Sequence, residues 1–255
     1  MNLLTEYFLS DTYFIIIEIM KMFEHMTERY QIAPMPDQIG SEILAMLSSV
    51  SVATVGHLTW SGFLDHRHIT PRQSDKRIVG TAITLRLPTP DSTLLHYASG
   101  RVRPGDIVVI DRAGDTRLAC LGGNVAYALV RAGAAGAIVD GPICDPDEIR
   151  EHDFPVWSSG VSPITTRRTG PSGSLNLSVN CGGVVVHAGD LIMADESGVI
   201  CIPRAEAPAL AKAAAAKEST STQRRAAMQA GATLGALSSA DELVAQHGVN
   251  VGASS

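Results

Sequence analysis

The sequence is poor in aromatic residues and in cysteines, and its cysteines do not form a metal-binding pattern. Only 5% of the 255 residues are aromatic, but 45% are hydrophobic, which is ample for one large domain with a core, with or without appendages. The cysteines are Cys120, Cys144, Cys181 and Cys201. They form no Cys-x-x-Cys pair, and no histidine lies near them at zinc-finger spacing. We therefore expect reduced, buried thiols in a cytoplasmic protein.

The sequence also lacks a basic run and a segment long enough to span a membrane. The net charge is −6, and the arginine pairs at 167–168 and 224–225 are isolated, so we expect no nucleic-acid partner. The apolar stretch over residues 13–20 is interrupted by Glu18, whereas a spanning helix needs roughly 20 predominantly apolar residues. It has neither the basic start nor the small-residue cleavage site of a signal peptide. We therefore expect no membrane partner.

The chain divides into three parts by its residue pattern. Residues 1–34 are predicted to form a helical extension that packs on the body or on a partner subunit. Residues 35–235 are predicted to form one α/β domain. Residues 236–255 read as a C-terminal tail with a frayed Gly/Ser end.

The middle of the chain alternates between predicted strands and helices. Strands over 107–110, 134–139 and 155–157 are separated by helices over 121–132 and 146–151. Short connections between them imply parallel pairing with right-handed crossovers. Four short predicted strands follow residue 175 and favour an antiparallel meander or a small barrel. The remaining predictions are helices over 38–49, 93–99, 205–217 and 221–231, a strand over 78–87, a β-prone piece over 51–57 and one helical turn within 240–247.

The most informative stretch is the end of the strand over 134–139. It stops at Asp140-Gly141, a turn pair, and Asp145 then opens a short acidic helix. A carboxylate therefore lies just beyond the carboxyl end of a strand, where open α/β sheets bind their ligands. A glycine-rich turn, Gly122-Gly123-Asn124, lies one helix upstream. Together these features predict a ligand site.

Four pieces of sequence, taken in order, resemble a known family. They are Val79-Gly80-Thr81-Ala82 with Thr84, Gly122-Gly123-Asn124-Val125-Ala126, Val139-Asp140-Gly141 through Asp145 and Glu148-Ile149, and Ala188-Gly189-Asp190 with Ala194-Asp195 and Gly198-Val199. Gly160-Val161-Ser162-Pro163 fits as well. The series resembles the family that contains the RraA regulators of RNase E and the class II 4-hydroxy-4-methyl-2-oxoglutarate / 4-carboxy-4-hydroxy-2-oxoadipate aldolases. The match covers roughly residues 35 to 235.

This resemblance implies a swivelling α/β/β/α domain, with the parallel β-α-β core joined to the antiparallel part. It also implies a homo-oligomer, either a trimer or a hexamer, with sites between subunits. By the same resemblance, Asp145 would hold Mg²⁺ or Mn²⁺ largely through water, and the ion would polarise the carbonyl of an oxo acid. The amides of Gly122, Gly123, Asn124 and Val125 would bind a small anionic substrate, and Glu218 would approach from the neighbouring subunit.

The chain departs from the aldolase pattern at two positions. Cys144 stands where the aldolases carry an arginine that binds the pyruvyl group, and Gly123 stands where they carry an acid that positions the catalytic water. A thiol cannot replace a bidentate guanidinium. Loss of such a partner removes roughly 3 kcal/mol or more of transition-state stabilisation, by analogy with an oxyanion donor. We therefore expect a substrate that differs from the usual pyruvyl compounds.

Several of these residues also have plainer interpretations. Asp145 could cap its helix, and Cys144 could be a neutral filler or a nucleophile near a helix start. Asn124 could bind ligand or stabilise the turn, and Arg117 could replace the missing guanidinium or lie solvated on the surface. The histidines His57, His66 and His68 could bind metal through the His-x-His spacing or belong to a polar loop.

Two classes of function remain open on the sequence alone. The first is a metal-dependent lyase, an aldolase or a decarboxylase, with Asp145, Cys144 and Glu218 in its catalytic centre. The second is a non-catalytic regulatory or binding protein like the RraA regulators. Hydrolase or isomerase chemistry at the same metal site is a weaker third possibility.

Overall fold

The computed structural model describes residues 16–17, 30–73, 75–88, 90–170 and 172–248. Most of the predicted N-terminal extension, and the end of the C-terminal tail, lie outside the described residues. In the described part of the chain, no helix is long and apolar enough to cross a membrane.

The strands and helices are named here in chain order. The strands are β1 (Gln31–Ile32), β2 (Thr70–Pro71), β3 (Ile78–Arg86), β4 (Asp106–Asp111), β5 (Gly136–Ile143), β6 (Val156–Val161), β7 (Ser174–Leu175), β8 (Val179–Cys181), β9 (Val184–Val186), β10 (Leu191–Asp195) and β11 (Gly198–Ile202). The helices are α1 (Ser41–Leu47), α2 (Val52–Gly56), α3 (Thr93–Ser99), α4 (Gly123–Ala132), α5 (Pro146–Glu151), α6 (Ala207–Gln229), α7 (Leu234–Leu237) and α8 (Ala240–His247).

Four parallel strands, β3, β4, β5 and β6, form the centre of the main sheet in chain order. Each successive pair is connected through one helix, α3, α4 or α5, as the predicted β-α-β-α-β pattern requires. At the edges the pairing becomes antiparallel, with β2 on β6 and both β7 and β10 on β3. The predicted mixed α/β fold is therefore confirmed.

Alternate residues of the buried strands face two different hydrophobic cores. In β4, Val108 and Ile110 pack with α3, α4 and α5, whereas Ile107 and Val109 pack towards the β8–β9 and β10–β11 hairpins. The outer face of the β10–β11 hairpin, through residues such as Met193 and Ile200, packs on α1, α2 and α6. The resulting layers run helix, sheet, hairpin, helix, which is the α/β/β/α order expected from the resemblance.

Three local predictions were wrong, each for an identifiable reason. Residues 51–57 were expected to be β-prone but form α2, because the Ser51 side chain accepts a hydrogen bond from the Thr54 N–H and caps the helix. The strand expected to end at Asp140-Gly141 continues to Ile143 past an irregularity in its pairing with β6. The two helices expected over 205–217 and 221–231 are one helix, α6, in which the Thr220 and Thr222 hydroxyls bond the preceding turn.

Candidate active site

The candidate site lies where the end of β5 meets the start of α4. Leu121 forms a parallel bridge with Ile143, and the Cys144 N–H donates to the Leu121 carbonyl at 2.9 Å. From the other side, the Ser162 N–H donates to the Ile143 carbonyl at 2.8 Å. These backbone hydrogen bonds hold the glycine turn and the strand end together, as expected for a site at the carboxyl ends of parallel strands.

Asp145 has a left-handed backbone conformation, with φ 51° and ψ 49°. This conformation is unfavourable for residues other than glycine, although Asp and Asn tolerate it better than most. The Asp145 side chain makes no capping hydrogen bond to α5 and instead accepts the Gly123 N–H at Oδ2, at 3.2 Å. Its carboxylate therefore faces the glycine turn, and it is not a side-chain cap of α5.

Glu148 brings a second carboxylate to the same glycine turn. A Cβ on Gly123 would lie 1.8 Å from Glu148 Oε2, and a Cβ on Gly122 would lie 2.5 Å from Asp145 Oδ2. The two carboxylates therefore rest against the turn, and a side chain at either glycine would displace them from these positions. Asp145 and Glu148 are both exposed, so the site opens to solvent in the single subunit.

Cys144 lies beneath these carboxylates with only 8% of its surface exposed. Its Sγ lies 3.3 Å from Asp145 Oδ2 and 3.8 Å from the Leu121 carbonyl oxygen. Burial, followed by the hydrogen bond to the Asp145 carboxylate and its charge, raises the pKa of the Cys144 thiol to about 12. The thiol is protonated at neutral pH, which argues against the nucleophile interpretation and in favour of an uncharged side chain in the site.

The start of α4 has the N–H groups expected for anion binding, but it lies beside two carboxylates. The Gly123 N–H already donates to Asp145. Asn124, which is exposed, and Val125 contribute the next two N–H groups, which have no acceptor within the first helical turn. An anion that approached these amides would also meet the Asp145 and Glu148 carboxylates.

The remaining predicted site residues lie farther out. Arg117 is exposed on the loop before the glycine turn, where its carbonyl accepts from the Ser162 Oγ at 2.7 Å. Glu218 lies on α6 and accepts from the Thr54 Oγ1 of α2 at 2.5 Å. Among the described residues, no group of three or more His, Cys, Asp or Glu side chains is placed to hold a metal ion. Within one subunit, Asp145 and Glu148 are the carboxylates that share the turn.

The donor chemistry of this turn fits a hard divalent cation held mainly through water. Carboxylate oxygens are the ligands that Mg²⁺ and Mn²⁺ prefer, and Mg²⁺ commonly keeps several waters beside one or two carboxylates. The Asp145 carboxylate is positioned by a backbone N–H and faces open solvent, which leaves room for such waters. The protonated Cys144 adds no competing soft ligand.

Glu148 belongs to the sequence pieces that carry the family resemblance, and the structure places its carboxylate against the glycine turn, which the sequence did not predict. Asp145 and Glu148 are three residues apart at the start of one helix, a spacing that places two side chains on one face. That spacing, together with a glycine pair one helix upstream, was the available signal. In the histidine cluster, His68 makes a polar contact with a carboxylate, its Nε2 lying 2.8 Å from Asp140 Oδ1.

The fold of this chain is similar to that of solved RraA proteins. One similar structure is that of Streptomyces coelicolor RraAS2, described as an unusual member of the RNase ES inhibitor RraA protein family. It superposes with a TM-score of 0.64 at 27% identity, and the match covers 73% of this chain and 98% of RraAS2. The Thermus thermophilus RNA-processing inhibitor RraA superposes with a TM-score of 0.56 at 26% identity, covering 61% of this chain and 93% of that one. The fold is therefore the RraA fold.

Sequence similarity identifies the family itself. The RraA-like model, described as Aldolase/RraA, matches residues 55–201. A Thermus thermophilus 4-hydroxy-4-methyl-2-oxoglutarate aldolase is 30% identical over 127 residues, which cover 50% of this chain and 76% of that protein. A Halalkalibacterium halodurans protein provisionally named for the same activity is 32% identical over 160 residues, covering 63% of this chain and 76% of its own length. The chain belongs to the Aldolase/RraA family.

Proposed function

We propose that this protein is a divalent-metal-dependent carbon–carbon lyase, an aldolase or a decarboxylase, acting on a small oxo or hydroxy acid. The observation that carries the proposal is the placement of the Asp145 and Glu148 carboxylates on one solvent-open glycine turn. Relatives named as 4-hydroxy-4-methyl-2-oxoglutarate aldolases support an aldolase-family role.

Asp145 is the proposed ligand of Mg²⁺ or Mn²⁺. Its carboxylate is turned away from its own helix and held towards the turn by the Gly123 N–H. When bound, the ion supplies Lewis-acid polarisation of an oxo-acid carbonyl and charge stabilisation of the developing enolate. The role of Asp145 is to fix this charge beside the start of α4.

The start of α4 is the proposed binding element for the anionic end of the substrate. Gly122 and Gly123 allow close approach of the backbone, and the N–H groups of Asn124 and Val125 point outward from the helix start. Arg117, on the loop tied to Ser162, is proposed to add a positive charge at the border of this site.

The protonated Cys144 sets the proposed substrate apart from pyruvyl compounds. A thiol cannot form the two parallel hydrogen bonds that a guanidinium forms with a carboxylate. The site therefore favours an oxo or hydroxy acid that does not need a carboxylate partner at this position.

The site is proposed to be completed in a homotrimer or homohexamer, with Glu218 of the neighbouring subunit facing it. This placement is compatible with the subunit structure, because Asp145 and Glu148 are exposed and α6 lies on the opposite, hairpin side of the sheet. Shared sites of this kind are built by rotational symmetry in closed oligomers.

To test this proposal, the protein is incubated with a panel of 4-hydroxy-2-oxo acids and 3-carboxy-2-oxo acids in the presence of Mg²⁺, Mn²⁺ or EDTA. Proton NMR monitors cleavage of each compound. We expect one substrate class to be cleaved, with the activity lost in EDTA and restored by excess metal. Failure to cleave any member of the panel with either metal would contradict the lyase assignment.

A regulatory function is the second candidate, and two substitutions favour it. The arginine and the turn acid of the aldolases are replaced by Cys144 and Gly123, while two structural neighbours are named as RNA-processing inhibitors. In that case the purified protein would be inactive on the whole panel and would bind an endoribonuclease in a pull-down. Retention of Asp145 and Glu148 at the turn favours the lyase.

A further inference from the structure

We infer that a cavity beside the end of α5 is a second binding site, one for a small anion that also carries a hydroxyl group. The cavity has a volume of about 360 Å³ and is lined by Arg72, Gln73, Asp75, Lys76, Arg150 and Asp153. Arg150 lies in the last turn of α5, whereas Asp145 precedes its first turn, so the cavity is separate from the candidate active site. The inference therefore does not depend on the proposed lyase function.

Gln73 is a polar side chain that the folded subunit buries without giving it a partner. Only 8% of its surface is exposed. In the part of the chain that the structure describes, neither Nε2 nor Oε1 has a hydrogen-bond partner. Buried amides are nearly always paired, because an unpaired one loses its hydrogen bonds to water without compensation. Gln73 therefore points to a group in the cavity that offers both an acceptor for Nε2 and a donor for Oε1.

Arg72 brings a positive charge to the same wall of the cavity. Its Nη2 donates to two neutral acceptors, Thr70 Oγ1 and the Ser158 carbonyl oxygen, the latter at 2.6 Å. Its Nε is buried and has no acceptor among the described residues. Burial lowers the pKa of the Arg72 guanidinium. A buried charge without a counterion is costly, and an anion in the cavity would supply one.

The acids that line the cavity are offset by a lysine. Lys76 Nζ lies 2.6 Å from Asp153 Oδ1 and 3.9 Å from Asp75 Oδ2. An anion bound at Arg72 would therefore meet acids whose charge is already partly neutralised. The guanidinium of Arg72 is the positive group that is left for it.

These unpaired groups define the chemistry of the ligand. Anionic oxygens, from a carboxylate or a phosphate, would accept hydrogen bonds from Arg72 Nε and from Gln73 Nε2. A hydroxyl group on the same molecule would donate to Gln73 Oε1. Water could pair with the amide but could not neutralise the guanidinium, and a metal cation would be repelled by it.

Calorimetric titration tests the inference with two hydroxylated anions and a neutral control. Glycerate offers a carboxylate, glycerol 3-phosphate offers a phosphate, and glycerol has the hydroxyl groups alone. The full chain is titrated in a metal-free Tris chloride buffer. We expect saturable binding of at least one of the anions and no binding of glycerol. The anion that binds more tightly identifies the acidic group of the ligand.

Two substitutions remove the unpaired groups but keep an unbranched side chain. Arg72→Met and Gln73→Met should each weaken binding by at least about tenfold, because a hydrogen bond to a charged group contributes about this factor. Arg72→Lys, which keeps the charge but loses Nε, should lose less affinity than Arg72→Met. Arg101→Met, at an exposed arginine that follows α3, is the matched control and should bind within about twofold of the wild type.

Thermal unfolding gives a second readout and, with circular dichroism, shows that each variant is folded. Without ligand, Gln73→Met should have a Tm equal to or above that of the wild type, because it removes two unpaired buried groups. Added ligand should raise the Tm of the wild type more than that of Gln73→Met. The inference is overturned if neither anion binds, or if Arg72→Met and Gln73→Met bind as tightly as the wild type. A lower Tm for ligand-free Gln73→Met would show that the amide is already paired, and would contradict the inference too.

Discussion

Single residues set the charge of the candidate site. Cys144 matters most, because it places an uncharged thiol where the aldolases carry a positively charged arginine. With Asp145 and Glu148 on the turn and a protonated thiol beneath them, the site carries two negative charges and no adjacent positive side chain on α5 before Arg150. A bound divalent cation would neutralise that charge and allow an anionic substrate to approach. We propose that the identity of residue 144 then determines which substrate is recognised.

Replacing Cys144 with arginine should move the protein towards pyruvyl substrates. We expect Cys144→Arg to raise metal-dependent cleavage of pyruvate-forming substrates by at least about tenfold, because a guanidinium adds a bidentate carboxylate partner. Cys144→Met is the control, since it lengthens the side chain without adding charge. Steady-state kinetics checks this, and equal activity of the two variants would show that residue 144 does not select the substrate.

At the scale of elements, the bounds of the strands and helices show how far the local sequence determines secondary structure. The predicted strands at 78–87 and 107–110 and the helices at 93–99 and 146–151 agree closely with β3, β4, α3 and α5, because their apolar periods and turn residues are strong. The predictions were wrong where a local hydrogen bond or a contact with a distant strand determines the secondary structure. The side chain of Ser51 caps a helix in a segment whose residues favour a strand. Pairing with β6 extends β5 beyond Asp140-Gly141.

Gly80 tests the packing of β3 within the sheet. A Cβ there would lie 2.3 Å from the Gly105 backbone oxygen and 3.0 Å from Ile107 Cγ1, so the backbone must shift to accept it. We expect Gly80→Ala to lower the free energy of unfolding by about 1–3 kcal/mol. Gly100→Ala is the control, because no atom of the described residues, its chain neighbours aside, lies within 4 Å of its Cβ position. It should be neutral or stabilising by up to about 1 kcal/mol. Urea denaturation compares the two, and equal stabilities would refute the close packing of Gly80.

At the scale of the whole molecule, the order of layers followed from the family resemblance, but the second carboxylate at the glycine turn could not be predicted. Strand ends and glycine turns are local patterns, so the sequence could predict that Asp145 and the start of α4 lie together. The contact between Glu148 and Gly123 depends on how α5 and α4 meet, which no local pattern encodes. The partner of Glu218 on its own subunit, Thr54, is 164 positions away in the chain and was equally hidden.

The proposed sharing of the site between subunits predicts complementation. Asp145→Asn and Glu218→Gln should each be inactive alone. Hybrid oligomers refolded from an equal mixture should regain activity at about a quarter of the sites, where an intact Asp145 meets an intact Glu218 of the neighbour. Mass measurement of the native oligomer accompanies the assay. Hybrids that stay inactive would place Glu218 outside the site.

The central claim is that Asp145 holds a divalent cation that lets this site form an enolate. The most direct measurement is deuterium exchange of the carbon-3 protons of pyruvate, 2-oxobutyrate and larger 2-oxo acids in D₂O, followed by proton NMR. We predict exchange of at least one oxo acid with Mg²⁺ or Mn²⁺, loss of exchange in EDTA, and no exchange in folded Asp145→Asn, which keeps an acceptor for the Gly123 N–H. Exchange that persists in EDTA or in Asp145→Asn, or its absence for every oxo acid with both metals, would contradict the claim.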